Sequence, residues 1–337
     1  MLYQKDCLSI IQAKAKGKII YTGEIMNRED LRKNLRGSIA TVPTAFDDHF
    51  RVDFARMAEL TNWWIENGLV RGKCVIKVAA VGGEGDKLRE EEWVHLLQTV
   101  VQASKGRTPI WGAIHHLDTY RAIEYAKKAK DVGVEGIQVS PPFMHVGTQD
   151  GLLRHYEALS SAVDLGILIY NTPWFSGGAI YPDTLRKMAD FESVVGIKWS
   201  NKYSEGNEYP YEEIFDVKDK VNIIDNTVSP ILNHKLGGHG YIQTAIHIHP
   251  PHDLKIMELM DQGKYDEAGE LFDSVMPKLR AFRADVKKQT GHEAGEKAVM
   301  NIMGNHMGQR RPPVNAINSD EKSRLCSLIE SFGWPLP

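Results

Sequence analysis

Lys198 closes an apolar run, Val194-Val195-Gly196-Ile197, and stands where a buried strand would end. A lysine there is costly to desolvate, and burial favours the free amine over the ammonium. A neutral amine is a nucleophile towards ketones, and the product is a Schiff base. The same position also suits a lysine that snorkels to solvent. Tyr170 closes another apolar run, Gly166-Ile167-Leu168-Ile169, and a phenol beside a Schiff-base lysine can carry protons to and from the carbinolamine. Gly82 and Gly83 interrupt a third run and offer backbone N–H groups where a carboxylate could rest, or simply a tight turn. His247-Ile248-His249 with His252 has ligand-like spacing for a metal.

Short apolar runs of this kind must be placed by the elements around them. They recur at Ser38–Val42, Cys74–Ala80, Pro109–Ile114, Gly136–Ser140, Gly166–Tyr170, Val194–Lys198, Val221–Asp225 and Gly240–Ala245. Most are followed by a helical pattern. Asp53 caps one whose apolar positions are Phe54, Met57, Ala58, Thr61, Trp64 and Ile65, and Asp118 caps another that runs to Gly133. Alternating strands and helices imply parallel strands joined by right-handed crossovers. A doubly wound sheet and a closed barrel both satisfy this pattern. Roughly eight units in about 210 residues favour a (β/α)8 TIM barrel. Gly82-Gly83-Glu84-Gly85 does not match the dinucleotide-binding glycine pattern. The expected organisation is an N-terminal extension over residues 1–36, the barrel over 37–250 and a C-terminal helical region over 251–337.

In such a barrel the site is built at the C-terminal ends of the strands. The candidates are therefore Thr41, Thr44, Gly82, Gly83, Glu84, His115, His116, Ser140, Tyr170, Lys198, Asp225 and Ile242. The formal charge of -3 with no basic block argues against nucleic acid or an anionic membrane as partner. No apolar run reaches the roughly 20 residues that a membrane helix needs. Three dispersed cysteines, Cys7, Cys74 and Cys326, suggest reduced thiols and a cytoplasmic location. The charged first residues do not suit a secretory signal.

Several motifs occur together in order: Gly37-Ser38-Ile39, Gly82-Gly83-Glu84, Tyr170-Asn171-Thr172-Pro173, Gly196-Ile197-Lys198 and Leu236-Gly237-Gly238-His239-Gly240-Tyr241-Ile242. Over about residues 37–315 the chain resembles the dihydrodipicolinate synthase / N-acetylneuraminate lyase superfamily of class I, pyruvate-type aldolases. The resemblance implies that Lys198 forms the imine with a 2-oxo acid and that Tyr170 relays protons. It also implies that the backbone of Gly82 and Gly83 holds the carboxylate, and that the carbonyl of Ile242 helps fix the tyrosine and the keto acid. It implies no cofactor beyond the covalent imine, no metal, small-molecule 2-oxo acid and aldehyde substrates, and a homo-oligomer, a dimer or tetramer.

The chain also departs from the pattern. Val81 and Gly82 stand where the family often has two threonines. Phe143 matches a tyrosine, and the region of Trp174 and Phe175 replaces a carboxylate-binding arginine. No counterpart of the tyrosine contributed across a subunit interface is evident. Lysine biosynthesis is therefore not the expected role. Val81, Phe143, Trp174, Phe175 and Trp199, with Thr44 nearby, suggest an apolar pocket and an aldehyde half that is hydrophobic or aromatic, as in hydratase-aldolases. Alternatives are a sugar-acid (2-keto-3-deoxy acid) aldolase or dehydratase, with His115, His116, Asn201 and Gln243 meeting hydroxyls, a metal-dependent barrel hydrolase, and a non-catalytic 2-oxo-acid sensor. Lys77 is a rival nucleophile without a tyrosine partner in the motif.

Overall fold

The computed structural model describes residues 27–144, 147–176, 178–204, 207–227, 229–242, 245–290 and 294–337. Eight parallel strands close into a barrel: β1 (Gly37–Thr41), β2 (Cys74–Val78), β3 (Ile110–Ile114), β4 (Gly136–Val139), β5 (Gly166–Tyr170), β6 (Val194–Trp199), β7 (Asn222–Asp225) and β8 (Gly240–Tyr241). β8 pairs with both β7 and β1, so no strand edge is left open. The expected run to Ala245 is shorter than foreseen: Ala245–Ile248 is already helical, and Gln243 lies outside the described residues.

Helices cover the outside. They include α1 (Arg28–Asn34), α2 (Phe54–Glu66), α3 (Glu90–Ser104), α4 (Thr119–Val132), α5 (Gln149–Ala162), α6 (Pro182–Met188) and α7 (Pro230–Lys235). Asp53 and Asp118 act as the sequence suggests: their carboxylates accept from the Arg56 and Arg121 N–H groups, satisfying amides that the first turn leaves unpaired. Between helices and barrel lie the largest aromatics, each with its polar tip bonded. Trp64 donates to the His247 carbonyl, Trp93 to Ala113 and Tyr156 to Val139. Beyond the barrel, Pro250–Asp261, Tyr265–Thr290, Ala294–Ile302 and Ser319–Ser331 form the helical C-terminal region.

The interior is filled in layers, because alternate residues of each strand face inward and strand tilt brings every second strand to the same height. Ile39, Trp111, Leu168 and Ile224 from the odd strands form one such layer and belong to a single buried cluster. Below it the even strands contribute Val75 and three glycines, Gly136, Gly196 and Gly240. Larger neighbours take that space. A Cβ on Gly136 would meet the Trp111 ring at 2.5 Å, and one on Gly196 would meet Leu35 Cδ2 at 2.5 Å. Leu35 follows α1 and, with Leu31, joins the interior cluster. The chain from residue 27 to 36, read from the sequence as part of an N-terminal extension, thus forms the floor of the barrel. Residues 1–26 lie outside the described residues. No helix among the described residues is long and apolar enough to cross a membrane.

Candidate active site

Above the apolar layers the interior becomes polar. The registers of β2 to β8 place Lys77, Gln138, Lys198 and Ile242 in one layer, contributed by the even strands. Lys77 and Lys198 are both buried, and Lys77 Nζ donates to Gln138 Oε1 at 2.7 Å. β2 and β4 are not neighbours in the barrel, so this bond runs through the interior. Thr41, Ala113 and Tyr170 follow from the odd strands.

Tyr170 is the register partner of Lys198 on the adjacent strand. Lys198 Nζ lies 4.1 Å from the centroid of the Tyr170 ring. His115 meets the same ring edge-on, with centroids 5.4 Å apart. Burial first, and then the charges of Lys198 and Lys77, push the His115 imidazole down to about 3. It is therefore neutral near pH 7, and its Nε2 atom has no hydrogen-bond partner among the described residues. Lys77 is pushed well below the ordinary lysine value, by burial first and then by the Lys198 charge.

The turn after β2 is a 3-10 helix, Val81–Gly83. The Gly83 N–H is already used, donating to the Ala80 carbonyl at 2.9 Å. Gly82 makes no such bond among the described residues, which leaves its N–H for a ligand. Thr44, a predicted pocket residue, instead donates its hydroxyl to the Gly83 carbonyl at 2.6 Å and is fully buried. It props the turn. Glu84 anchors the same turn from behind. Its carboxylate meets Lys297 Nζ at 2.8 Å and Arg310 Nε at 3.6 Å, and accepts from the Arg311 N–H at 3.0 Å.

Other sequence candidates divide by strand parity. Trp199 was expected in the pocket and is not there. It is fully buried on the outer side of β6, donates to the Tyr211 carbonyl at 2.9 Å, and belongs to the core between barrel and helices. The reason is the two-residue repeat: if Lys198 points in, the next residue points out. His116 likewise turns away from His115 and packs on the Tyr125 ring at 4.0 Å. Asp225 is spent on structure, accepting from the Thr227 N–H, Thr227 Oγ1, Ser229 N–H and Tyr211 OH. Ser140 Oγ is 3.5 Å from the Ile114 carbonyl. Ile242 packs on the interior cluster, its N–H held by the Asp225 carbonyl at 3.0 Å. Val81 lies in the 3-10 turn after β2, Phe143 in the loop after β4 and Trp174 in a short helix, Pro173–Ser176, after β5. Phe143 is 40% and Trp174 54% exposed. The Phe175 side chain is outside the described residues.

The histidines that suggested a metal do not converge. His252 Nδ1 meets Asp253 and its Nε2 meets the Leu271 carbonyl, while the His249 ring stacks on Trp334 at 4.8 Å. Among the described residues no group of three His, Cys, Asp or Glu side chains has the geometry of a metal site. Cys74 and Cys326 are free thiols. The residues that sequence reasoning underrated are Lys77 and Gln138. The one signal was a lysine inside an otherwise apolar strand, two residues from Val75 and Ala79 and hence on their face.

Comparison with known proteins identifies the family. A model of the dihydrodipicolinate synthetase family matches residues 34–332. The 4-hydroxy-tetrahydrodipicolinate synthase of Heliobacterium modesticaldum is 30% identical over 299 residues, covering 88% of this chain and 95% of that protein. That of Caldicellulosiruptor bescii is 27% identical over 301 residues, covering 88% and 97%. Among solved structures, dihydrodipicolinate synthase from Aquifex aeolicus superimposes with a TM-score of 0.77 at 23% identity, covering 90% of this chain and 99% of the other. The enzyme from Cyanidioschyzon merolae with lysine bound gives 0.79 at 23% identity, covering 90% and 99%. At these identities the structural likeness speaks for the fold. The sequence match extends over most of both chains, and by it this chain belongs to the dihydrodipicolinate synthetase family and is a lyase of the pyruvate-type aldolases.

Proposed function

We propose that the protein makes or breaks a carbon–carbon bond next to a pyruvate-type 2-oxo acid through an imine at Lys198. The observation that carries this reading is the Lys198–Tyr170 pair, side by side on adjacent strands with the amine 4.1 Å from the ring. The Lys198 amine, in its deprotonated form, adds to the ketone carbon. Tyr170 passes a proton to the carbinolamine oxygen, water leaves, and a protonated imine remains. That imine is an electron sink. Loss of a proton from the adjacent carbon, or cleavage of the bond beyond it, gives an enamine. In the forward direction the enamine carbon attacks an aldehyde, whose oxygen takes up a proton. Water then hydrolyses the imine and restores the amine. Gly82, with its unused N–H, holds the carboxylate beside Gly83.

The aldehyde half is read as hydrophobic or aromatic. Phe143 in the loop after β4 and Trp174 in the short helix after β5, both half-exposed, support this. A specific observation favours the sugar-acid alternative: Thr41 Oγ1, Ser200 Oγ and His115 Nε2 are buried polar atoms without partners among the described residues, and hydroxyls would satisfy them. Exposed Leu117, Tyr120 and Met144 support a homo-oligomer, which light scattering would test.

The decisive experiment is reduction with cyanoborohydride in the presence of pyruvate, followed by peptide mapping. The expected result is one pyruvyl adduct on Lys198. No adduct, or an adduct elsewhere, overturns the reading. A panel of aromatic and polyhydroxylated aldehydes then separates the two substrate classes.

A further inference from the structure

The most unusual feature of the barrel interior is the second lysine. Lys77 lies across the barrel from Lys198, on β2 against β6 of eight strands, with Gln138 between them on β4. It is 2% exposed, and no carboxylate among the described residues pairs with it. Its hydrogen-bond acceptor is a neutral amide. Nothing in folding requires a lysine at this position, since an apolar side chain would fill it at lower cost.

The groups around Lys77 are unsatisfied in one direction. Gln138 is fully buried, and its amide oxygen is taken by Lys77 while its Nε2 has no partner among the described residues. Thr41 is the register neighbour of Lys77 on β1, 8% exposed, and its Oγ1 is also without a partner. His115, above β3, leaves its Nε2 unpartnered. Buried polar atoms are rarely left in this state unless a ligand or water completes them. Three of the four groups, Lys77, Gln138 Nε2 and Thr41, can donate at once. A set of donors around a potential cation, with no acid nearby, suits an anion.

We propose that Lys77, Gln138 and Thr41 form a carboxylate subsite facing Lys198, and that Lys77 is the charged partner of the 2-oxo acid held there. This rests on the imine reading of Lys198. It adds a charge for the same carboxylate that the Gly82 turn meets only with neutral N–H groups. In the empty subsite burial and the charge of Lys198 both oppose a proton on Lys77. Arrival of a carboxylate acts in the opposite sense and favours the ammonium form of Lys77. The groups around it on the inner wall are Thr41 from β1, Trp111 and His115 from β3 and its exit, Gln138 from β4, and Tyr170 and Lys198 from β5 and β6. None is an acid that could take the carboxylate's place.

The test compares an anion with its neutral counterpart. Wild-type protein, Lys77→Met and Gln138→Leu are titrated with pyruvate and with methyl pyruvate. Cyanoborohydride-trapped adduct at Lys198 is quantified by mass spectrometry. Wild type should reach half-saturation at far lower pyruvate than ester. In Lys77→Met the value for pyruvate should rise by about 30-fold or more, the size expected for one buried charge-assisted hydrogen bond, while the value for the ester stays within about threefold. Gln138→Leu, which keeps the lysine and serves if Lys77→Met does not fold, should weaken pyruvate alone by roughly fivefold. Pyruvate half-saturation in wild type should also climb with pH more steeply than that of the ester. If both ligands suffer alike, or neither does, the subsite is refuted while the imine stands. If wild type is trapped by neither ketone, the imine reading fails and this inference falls with it.

Discussion

Replacing Glu84 by Gln tests how the candidate site is held in place. The substitution keeps size and shape, so it opens no cavity, and it removes one charge from a fully buried position. Glu84 lies against Lys297 at 2.8 Å and Arg310 at 3.6 Å, whose side chains are 2% and 3% exposed. Without the carboxylate, two buried cations face each other. Breaking such a group by removing one partner typically costs about 3–5 kcal/mol. At roughly 2 °C per kcal/mol for a chain of this length, the melting temperature should fall by about 6–10 °C. The loss should also depend on pH in a known direction. Burial already pulls Lys297 down to about 8 against the attraction of Glu84. A lysine whose folded value is lowered destabilises the native state while protonated, and the penalty lifts as pH rises past that value. The variant should therefore lose most at pH 7 and clearly less at pH 9. Calorimetry or urea unfolding at both values is the assay. Combining Glu84→Gln with Lys297→Met should recover part of the loss. A cost below about 1 kcal/mol at pH 7, no change at pH 9, or strict additivity in the double variant would refute the reasoning.

Four other outcomes are expected. Lys198→Ala should abolish adduct formation with pyruvate, and Tyr170→Phe should still bind but lose about 10²–10⁴ in turnover, read by steady-state kinetics. Lowering the pH from 7.5 to 5 should reduce stability, because His115 and His155 are held down to about 3 and about 4 by burial while the unfolded chain takes up their protons near 6.5; His155→Asn should flatten that dependence in thermal melts. Leu35→Ala should cost about 2–5 kcal/mol by emptying the barrel floor over Gly196, measured by chemical denaturation. Trp199→Phe should lower stability without changing the ranking of aldehydes, whereas Trp174→Ala should change the ranking and leave stability within about 0.5 kcal/mol.

Much of the barrel was legible because most strands are short apolar runs followed by a helical pattern, two of them opened by the capping residues Asp53 and Asp118. Lys198 and Tyr170 were found by the same rule, since they end such runs. What could not be read was the facing of residues in strands buried on both sides. All five positions of β2 are buried, so apolarity alone does not say that Lys77 looks inward. The same ambiguity placed Trp199 in the pocket, although one step along a strand reverses the side chain. Thr44 was legible as a neighbour of the glycine turn but not as its prop, because a bond spanning 39 residues leaves no local pattern. The helix at residues 28–34 escaped notice for a similar reason. Leu31 and Leu35 are two leucines in a polar segment, and their shared destination exists only once the barrel has closed around them.

That stopper has a consequence for the order of events. A barrel plugged at the bottom by Leu31, Leu35 and Trp111 is a blind well, with a single rim through which everything passes. A reactant anchored near the base blocks nothing above it, whereas one lodged at the rim shuts the base off. The deeper reactant must therefore come in first and go out last, so an ordered sequence of arrivals and departures follows from the shape of the vessel alone.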